Sequence, residues 1–144
     1  MRTELDRMFD QTLAAVMAPG GRLVIERDDL SRAFVANFPA TLPVFFKTFC
    51  ALNSQVEALV AGEERFTFAD LDSWSDRLAK ALVTRGIGKG ARVGIAMRNC
   101  PAWIVGYMAI LKAGGIATLL NGWWEREELR HALELTEPAL ILAD

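Results

Sequence analysis

The chain has 144 residues, a formal net charge of −2 and 52% hydrophobic side chains. That length suits one domain, and that apolar fraction supplies a packed core, which excludes an intrinsically disordered chain. The near-neutral balance, with no basic stripe and no interleaving of aromatic and basic residues, excludes a nucleic-acid binder.

Thr3–Met17 reads as an amphipathic helix, with Leu5, Met8, Phe9, Thr12, Leu13 and Val16 along one side. Its polar face mixes Arg2 and Arg7 with Glu4, Asp6 and Asp10. A membrane-surface helix would carry lysine and arginine there, so packing on the domain or on a partner is the stronger reading. Ala18–Gly21 is a turn, Arg22–Arg27 a strand, and Asp28-Asp29 turns the chain. The pattern of Ser31–Asn37 fits either an extended segment or a short helix.

Thr41 is expected to cap a helix over Leu42–Leu52, with Pro43 in its first turn. Leu42, Phe45, Phe46, Phe49 and Leu52 would form its core face. Val56–Ala61 and Arg65–Thr67 flank Gly62-Glu63-Glu64 as a hairpin.

From Phe66 onward, helical and extended patterns alternate, which is the signature of βαβ units on a parallel sheet. Thr67 and Asp70 form a variant capping box. Leu71, Trp74, Leu78, Ala81 and Leu82 make one apolar stripe, and Gly86 supplies a stop. Arg92–Met97 is a short apolar run, as a strand buried on both faces should be. Asn99 is expected to cap the next helix, with Pro101 in its first turn. Trp103, Ile104, Tyr107, Ile110 and Leu111 would be its buried side, and Gly114-Gly115 its end. Ile116–Leu120 is the second strand. Glu125, Glu127 and Glu128 load the next helix start with charge that suits the macrodipole. Pro138 precedes the last strand, Ala139–Leu142.

Candidate chemistry is sparse. Gly86-Ile87-Gly88-Lys89-Gly90 follows a helix and precedes a strand, the reverse of the order a dinucleotide loop needs, so it reads as a tight connection. His131 is the only histidine and sits in a charged helix; a solvated side chain is the default, since a metal site needs several convergent ligands. Asp70, Asp72 and Asp76 are explained by a solvated helix face. Trp123-Trp124 could shape a ligand pocket, with packing against the sheet the stronger reading. Cys50 and Cys100 read as reduced, packed thiols rather than a disulfide or a nucleophile.

No signal peptide is visible, because Leu13–Ala18 is short and runs into Pro19-Gly20-Gly21. The best membrane-span candidate, Ile104–Leu120, is broken by Lys112 and the paired glycines. A cytoplasmic protein is the expectation.

The segments FTFADL, RLAKAL, GIGKGARVGIAMRNCPAW, AILKAGGIATLLN and REELRHALELTEPALILAD together resemble the opening of an adenylate-forming (AMP-binding) superfamily enzyme. The likeness covers most of the chain and is clearest from Val56 to Asp144. Trp123-Trp124 after Leu120-Asn121 is most similar to the fatty acyl-CoA synthetase branch. The resemblance implies a three-layer α/β fold, with helices on both sides of a mainly parallel sheet, right-handed crossovers and a small antiparallel element near Val56–Thr67. It implies one partial domain, with 1–20 a helix and turn and 21–144 the α/β portion of an AMP-binding-type N-terminal domain.

Such enzymes carry a Ser/Thr/Gly-rich phosphate loop, a glutamate that positions magnesium, an aspartate for the ribose and a lysine in a mobile C-terminal domain. None of these has a matching stretch here. No catalytic, cofactor-binding or metal-binding residue is therefore assigned, and no cofactor is expected for this chain. ATP, magnesium and coenzyme A would serve the intact parent. The expectation is an N-terminal fragment, inactive alone, whose open sheet edge meets a missing C-terminal remainder or a second copy. The alternative is a stand-alone, dimerising binding module.

Overall fold

The computed structural model describes residues 3–144. The chain falls into two compact units, one ending at Ala40 and the other running Thr41–Asp144.

In the first unit, helix α1 spans Glu4–Met17. Thr3 caps it: its hydroxyl accepts from Asp6 N at 3.2 Å and its own N–H donates to Asp6 Oδ2 at 2.7 Å. None of the helix's side chains is buried. Strands β1 (Ile25–Arg27) and β2 (Ala33–Val35) pair antiparallel. The strand expected over Arg22–Arg27 is thus shorter, and the undecided segment is extended. Asn37 binds the start of the pair, accepting from Val24 N at 3.0 Å and donating to Arg22 O at 2.9 Å.

The second unit opens with helix α2 (Leu42–Leu52). Its expected phenylalanine core is corrected: Cys50 is its buried residue and Phe46 is half-buried, while Leu42, Phe45, Phe49 and Leu52 are exposed. Those positions lie off the Phe46–Cys50 line, which is the i, i+4 face turned inward. Strands β3 (Glu57–Ala61) and β4 (Glu64–Thr67) form the expected antiparallel hairpin. Strand β4 passes into helix α3 (Phe68–Thr84) without a loop, because Thr67 ends the strand and caps the helix. Thr67 Oγ1 accepts from Asp70 N at 3.2 Å, and Asp70 Oδ2 accepts from Thr67 N at 2.8 Å.

Then come strand β5 (Arg92–Met97), helix α4 (Pro101–Lys112), strand β6 (Ile116–Asn121), helix α5 (Arg126–Thr136) and strand β7 (Leu140–Ala143). The three strands are parallel, in the order β6-β5-β7. Val93 pairs with Ala117 and with Leu140, so β5 is the central strand. The chain steps outward from β5 to β6, then back across β5 to β7. With right-handed crossovers, that reversal puts α4 and α5 on opposite faces of the sheet.

The pleat follows this layering. Val93 and Ile95 are fully buried with Ala79 and Leu82 of α3 and Ala109 and Ile110 of α4. A side chain at Gly94 would meet Leu120 and Ile141 instead, on the other face. Fully burying side chains such as Leu82, Ile95 and Ile110 contributes roughly 2 kcal/mol each. A second cluster of Phe66, Leu71 and Val105 ties the hairpin to α3 and α4. Among the described residues, no helix is long and apolar enough to cross a membrane.

Candidate functional site

Parallel strands deliver their following loops to one end of the sheet. β5 ends at Met97 and continues as Arg98-Asn99-Cys100 into α4; β6 ends at Asn121 and continues as Gly122-Trp123-Trp124 into α5. The two helices leave to opposite faces, so the loops part between them. This is the place where open α/β sheets bind ligands. Here it holds a crevice of about 350 Å³, floored by Met97 and Leu120 and walled by Asn99, Trp103, Asn121 and Trp124. An apolar recess of about 430 Å³ adjoins it, sharing Asn99 and Trp103, and closed by Leu59–Ala61 of the hairpin and Ile104.

Short-range bonds shape both loops. Asn121 Oδ1 accepts from Trp123 N at 3.0 Å, and its carbonyl accepts from Trp124 N at 3.1 Å. Gly122 passes against the end of β5, where an added Cβ would lie 2.8 Å from the Met97 carbonyl. Arg98 Nε donates to Asp144 Oδ2 at 3.3 Å, drawing the end of β7 to the same rim. Trp103 stacks on Tyr107 with centroids 5.4 Å apart.

Three expectations are corrected at this end. The residue at the helix α4 cap is Cys100, not Asn99, and its side chain makes no capping bond. Trp123 does not pack on the sheet: it is 78% exposed, because the Asn121 turn carries it over the rim, whereas Trp124, 37% exposed, lines the crevice with Leu119 and Leu120. Helix α4 has no single buried stripe. Val105, Gly106, Met108, Ala109 and Ile110 are buried, whereas Trp103, Ile104, Tyr107 and Leu111 are half-buried. It lies between α3 and the sheet, so apolar residues are needed all round.

The glycines Gly86–Gly90 connect α3 to β5 at the opposite end of the sheet, and His131 is exposed on α5. Asp70 serves the α3 cap, which depresses its carboxyl through the Thr67 hydroxyl and N–H.

Asp72 and Asp76 are not the solvated residues expected. Lys112 Nζ, on a side chain only 9% exposed, lies 2.6 Å from Asp72 Oδ1, 2.6 Å from Asp76 Oδ1 and 2.8 Å from Ser75 Oγ. The Phe46 ring centroid is 5.3 Å away. The Lys112 hydrogen bond, opposed by burial, holds the Asp76 carboxyl below the usual carboxylate range. Burial raises the Cys50 thiol, with Asp72 adding to the effect. A lone lysine closing an apolar helix, and polar residues spaced i, i+3, i+4 beside the α3 stripe, were the available signals.

Among the described residues, those around the crevice build no cradle for a magnesium-bound triphosphate. Phosphates sit where free helix N–H groups and positive dipole ends converge. At the crevice, Pro101 removes an N–H from the start of α4, and Glu125, Glu127 and Glu128 occupy the start of α5. Among the described residues, no three His, Cys, Asp or Glu side chains gather as a metal site.

The open parallel sheet, its reversed crossover and its apolar crevice define an α/β protein of the ligand-crevice class. The comparisons narrow this. A family model described as AMP-binding enzyme matches residues 46–144, and the chain belongs to that family. It is 32% identical over 108 residues to the medium/long-chain-fatty-acid–CoA ligase FadD6 of Mycobacterium tuberculosis, covering 75% of this chain and 18% of that protein. It is 30% identical over 140 residues to bacitracin synthase 3 of Bacillus licheniformis, covering 96% of this chain and 2% of that protein. The N-terminal subdomain of Klebsiella oxytoca NpsA, solved with 3-hydroxyanthranilyl-AMSN, superposes with a TM-score of 0.68 over 72% of this chain and 26% of that one. At 19% identity, that likeness establishes the shared fold.

Proposed function

We propose that this chain is the front part of an acyl-CoA synthetase-like, AMP-forming ligase. The complete enzyme would activate a carboxylic acid, such as a fatty acid, with ATP and magnesium to an acyl-adenylate. It would then transfer the acyl group to coenzyme A. The observation that carries the reading is the family match over 46–144, together with 32% identity to a fatty-acid–CoA ligase of which the chain spans only 18%.

Within that enzyme this chain supplies shape. Its crevice and apolar recess offer aromatic and aliphatic walls, and Arg98 is already engaged by Asp144. Stabilising charge on transferring phosphates requires donors fixed in advance, and this chain's helix starts do not provide them. The chain alone is therefore inactive.

A chimera tests the reading. This chain replaces the matching segment of FadD6, and fatty-acid-dependent ATP–pyrophosphate exchange is measured beside the isolated chain. Exchange by the chimera and none by the isolated chain is expected. A folded but silent chimera, or turnover by the isolated chain, would refute it.

A second reading rests on the exposed Ile116, Leu119 and Ile141 on the outer strands. Edge strands with apolar side chains invite pairing, so a self-associating module would use this edge. Sizing chromatography with light scattering decides: a defined dimer favours the module, and a monomer removes it.

A further inference from the structure

We infer that Lys112 is a polar key that fixes the rotation of α4 between α3 and the sheet, rather than a source of stability. The need for a key follows from the sequence of α4. Trp103, Ile104, Val105, Tyr107, Met108, Ile110 and Leu111 cover every side of this helix, and Ala102 is its only exposed residue. Burial of apolar surface has no direction, so the hydrophobic term by itself does not choose among rotations of such a helix. Gly106, whose added Cβ would lie 3.0 Å from Leu142, gives the sheet side a close fit that bulky residues cannot share, but the fit sets the rotation on that side alone.

Lys112 does discriminate. An ammonium has three protons, and the native rotation offers Asp72 and Asp76 carboxylates and the Ser75 hydroxyl within 2.8 Å. These three acceptors recur at i, i+3 and i+4 on α3, one above the other. Any other rotation of α4 carries Lys112 away, which leaves the buried hydroxyl of Ser75 without its α4 partner, Asp72 without its cation, and Asp76 with only Lys47 of α2, 4.0 Å away. The Phe46 ring, 5.3 Å from the ammonium, covers the cluster from α2. A buried ion pair adds little net stability over an apolar replacement, because desolvation offsets attraction; its best-attested use is to set register.

The test replaces the cluster with neutral side chains: Lys112→Met, Asp72→Asn and Asp76→Asn together. Trp74, against Phe66, and Trp103, against Tyr107, report on the two sides of α4 through their indole N–H resonances; exposed Trp123 is the control. The expected melting midpoint stays within about 5 °C of the parent, a change of roughly a kcal/mol or two. The Trp74 and Trp103 signals broaden or double, and the dye ANS binds. Lys112→Met alone melts below the triple variant, because it strands Asp72 and leaves Asp76 only the more distant Lys47. A single sharp set of indole signals overturns the inference, since packing then suffices. A larger fall in midpoint, an unfolded triple variant, or a triple variant less stable than Lys112→Met overturns it too, since the cluster would then supply stability.

Discussion

Gly122 is where the crevice depends on a single missing carbon. Its ideal Cβ would stand 2.8 Å from the carbonyl carbon and oxygen of Met97 and 2.9 Å from Arg98 N. All three are backbone atoms at the end of the central strand, so none can swing aside as a side chain would. An ordinary contact needs another half ångström or more, and Met97 is paired with Asn121 in the last rung of the β5–β6 ladder. Gly122→Ala must therefore push the turn off the sheet or open that rung, an overpacking cost of about 2 kcal/mol. Gly88→Ala is the matched control: an added Cβ there meets nothing within 4 Å, and φ is not left-handed. It should be neutral or stabilise by up to about 1 kcal/mol through the unfolded state. Urea unfolding followed by circular dichroism reads the difference. With a slope of about 2 kcal/mol/M, Gly122→Ala should lower the midpoint by about 1 M at unchanged slope. Equal midpoints for the two variants would refute the close approach of the two loops.

Three further outcomes follow from the same geometry. Because the folded Asp76 carboxyl is held below its usual range by the Lys112 hydrogen bond, with Lys112, Lys47 and Lys80 charges assisting, its contribution is present above that range and is lost as pH falls through the depressed value. Asp76→Asn should flatten the loss of stability as pH falls through and below the usual carboxylate range in urea titrations; an unchanged profile would refute the coupling. Trp103→Ala should destabilise by about 3 kcal/mol, whereas Trp123→Ala, at 78% exposure, should change stability by under about 0.5 kcal/mol. Reversal of that order in urea titrations would mean that the rim turn is misplaced. In a thiol titration with Ellman's reagent, half-buried Cys100 should react in the native protein, while Cys50, 1% exposed and with its thiol raised by burial, should react only after denaturation.

What the sequence made legible was local. Thr67 with Asp70, the run Arg92–Met97, and the glutamates before α5 all act within a few residues of one another, so period and capping chemistry located those elements. The same rules failed where position is set from a distance. Phe45 and Phe49 look like core in a list of apolar residues, yet they lie on the outward side of α2, stacked on each other with Phe49 against Phe68. The cap of α4 shifted by one residue to Cys100, since Pro101 fixes the first turn whatever precedes it. Asp72 and Asp76 look solvated because their partner lies 36 to 40 residues away. Spacing along one helix cannot disclose a lysine that arrives from another.

The placement of charge bears on the division of labour proposed for the parent enzyme. Arg98 is held by Asp144, Arg92 by Glu137, Arg130 by Glu127 and Glu134, and Lys112 by Asp72 and Asp76. These cations are paired within the chain, and at the helix start beside the crevice Arg126 stands among three glutamates. A developing negative charge brought to this end of the sheet would meet aromatic walls, the Asn99 amide and the Arg98–Asp144 ion pair, with no converging cluster of cations among the described residues of the lining. An apolar acyl or aryl group would meet surfaces suited to it, because the walls are Trp103, Ile104 and Leu59. The recess therefore favours an apolar group over a charged one at this end of the sheet.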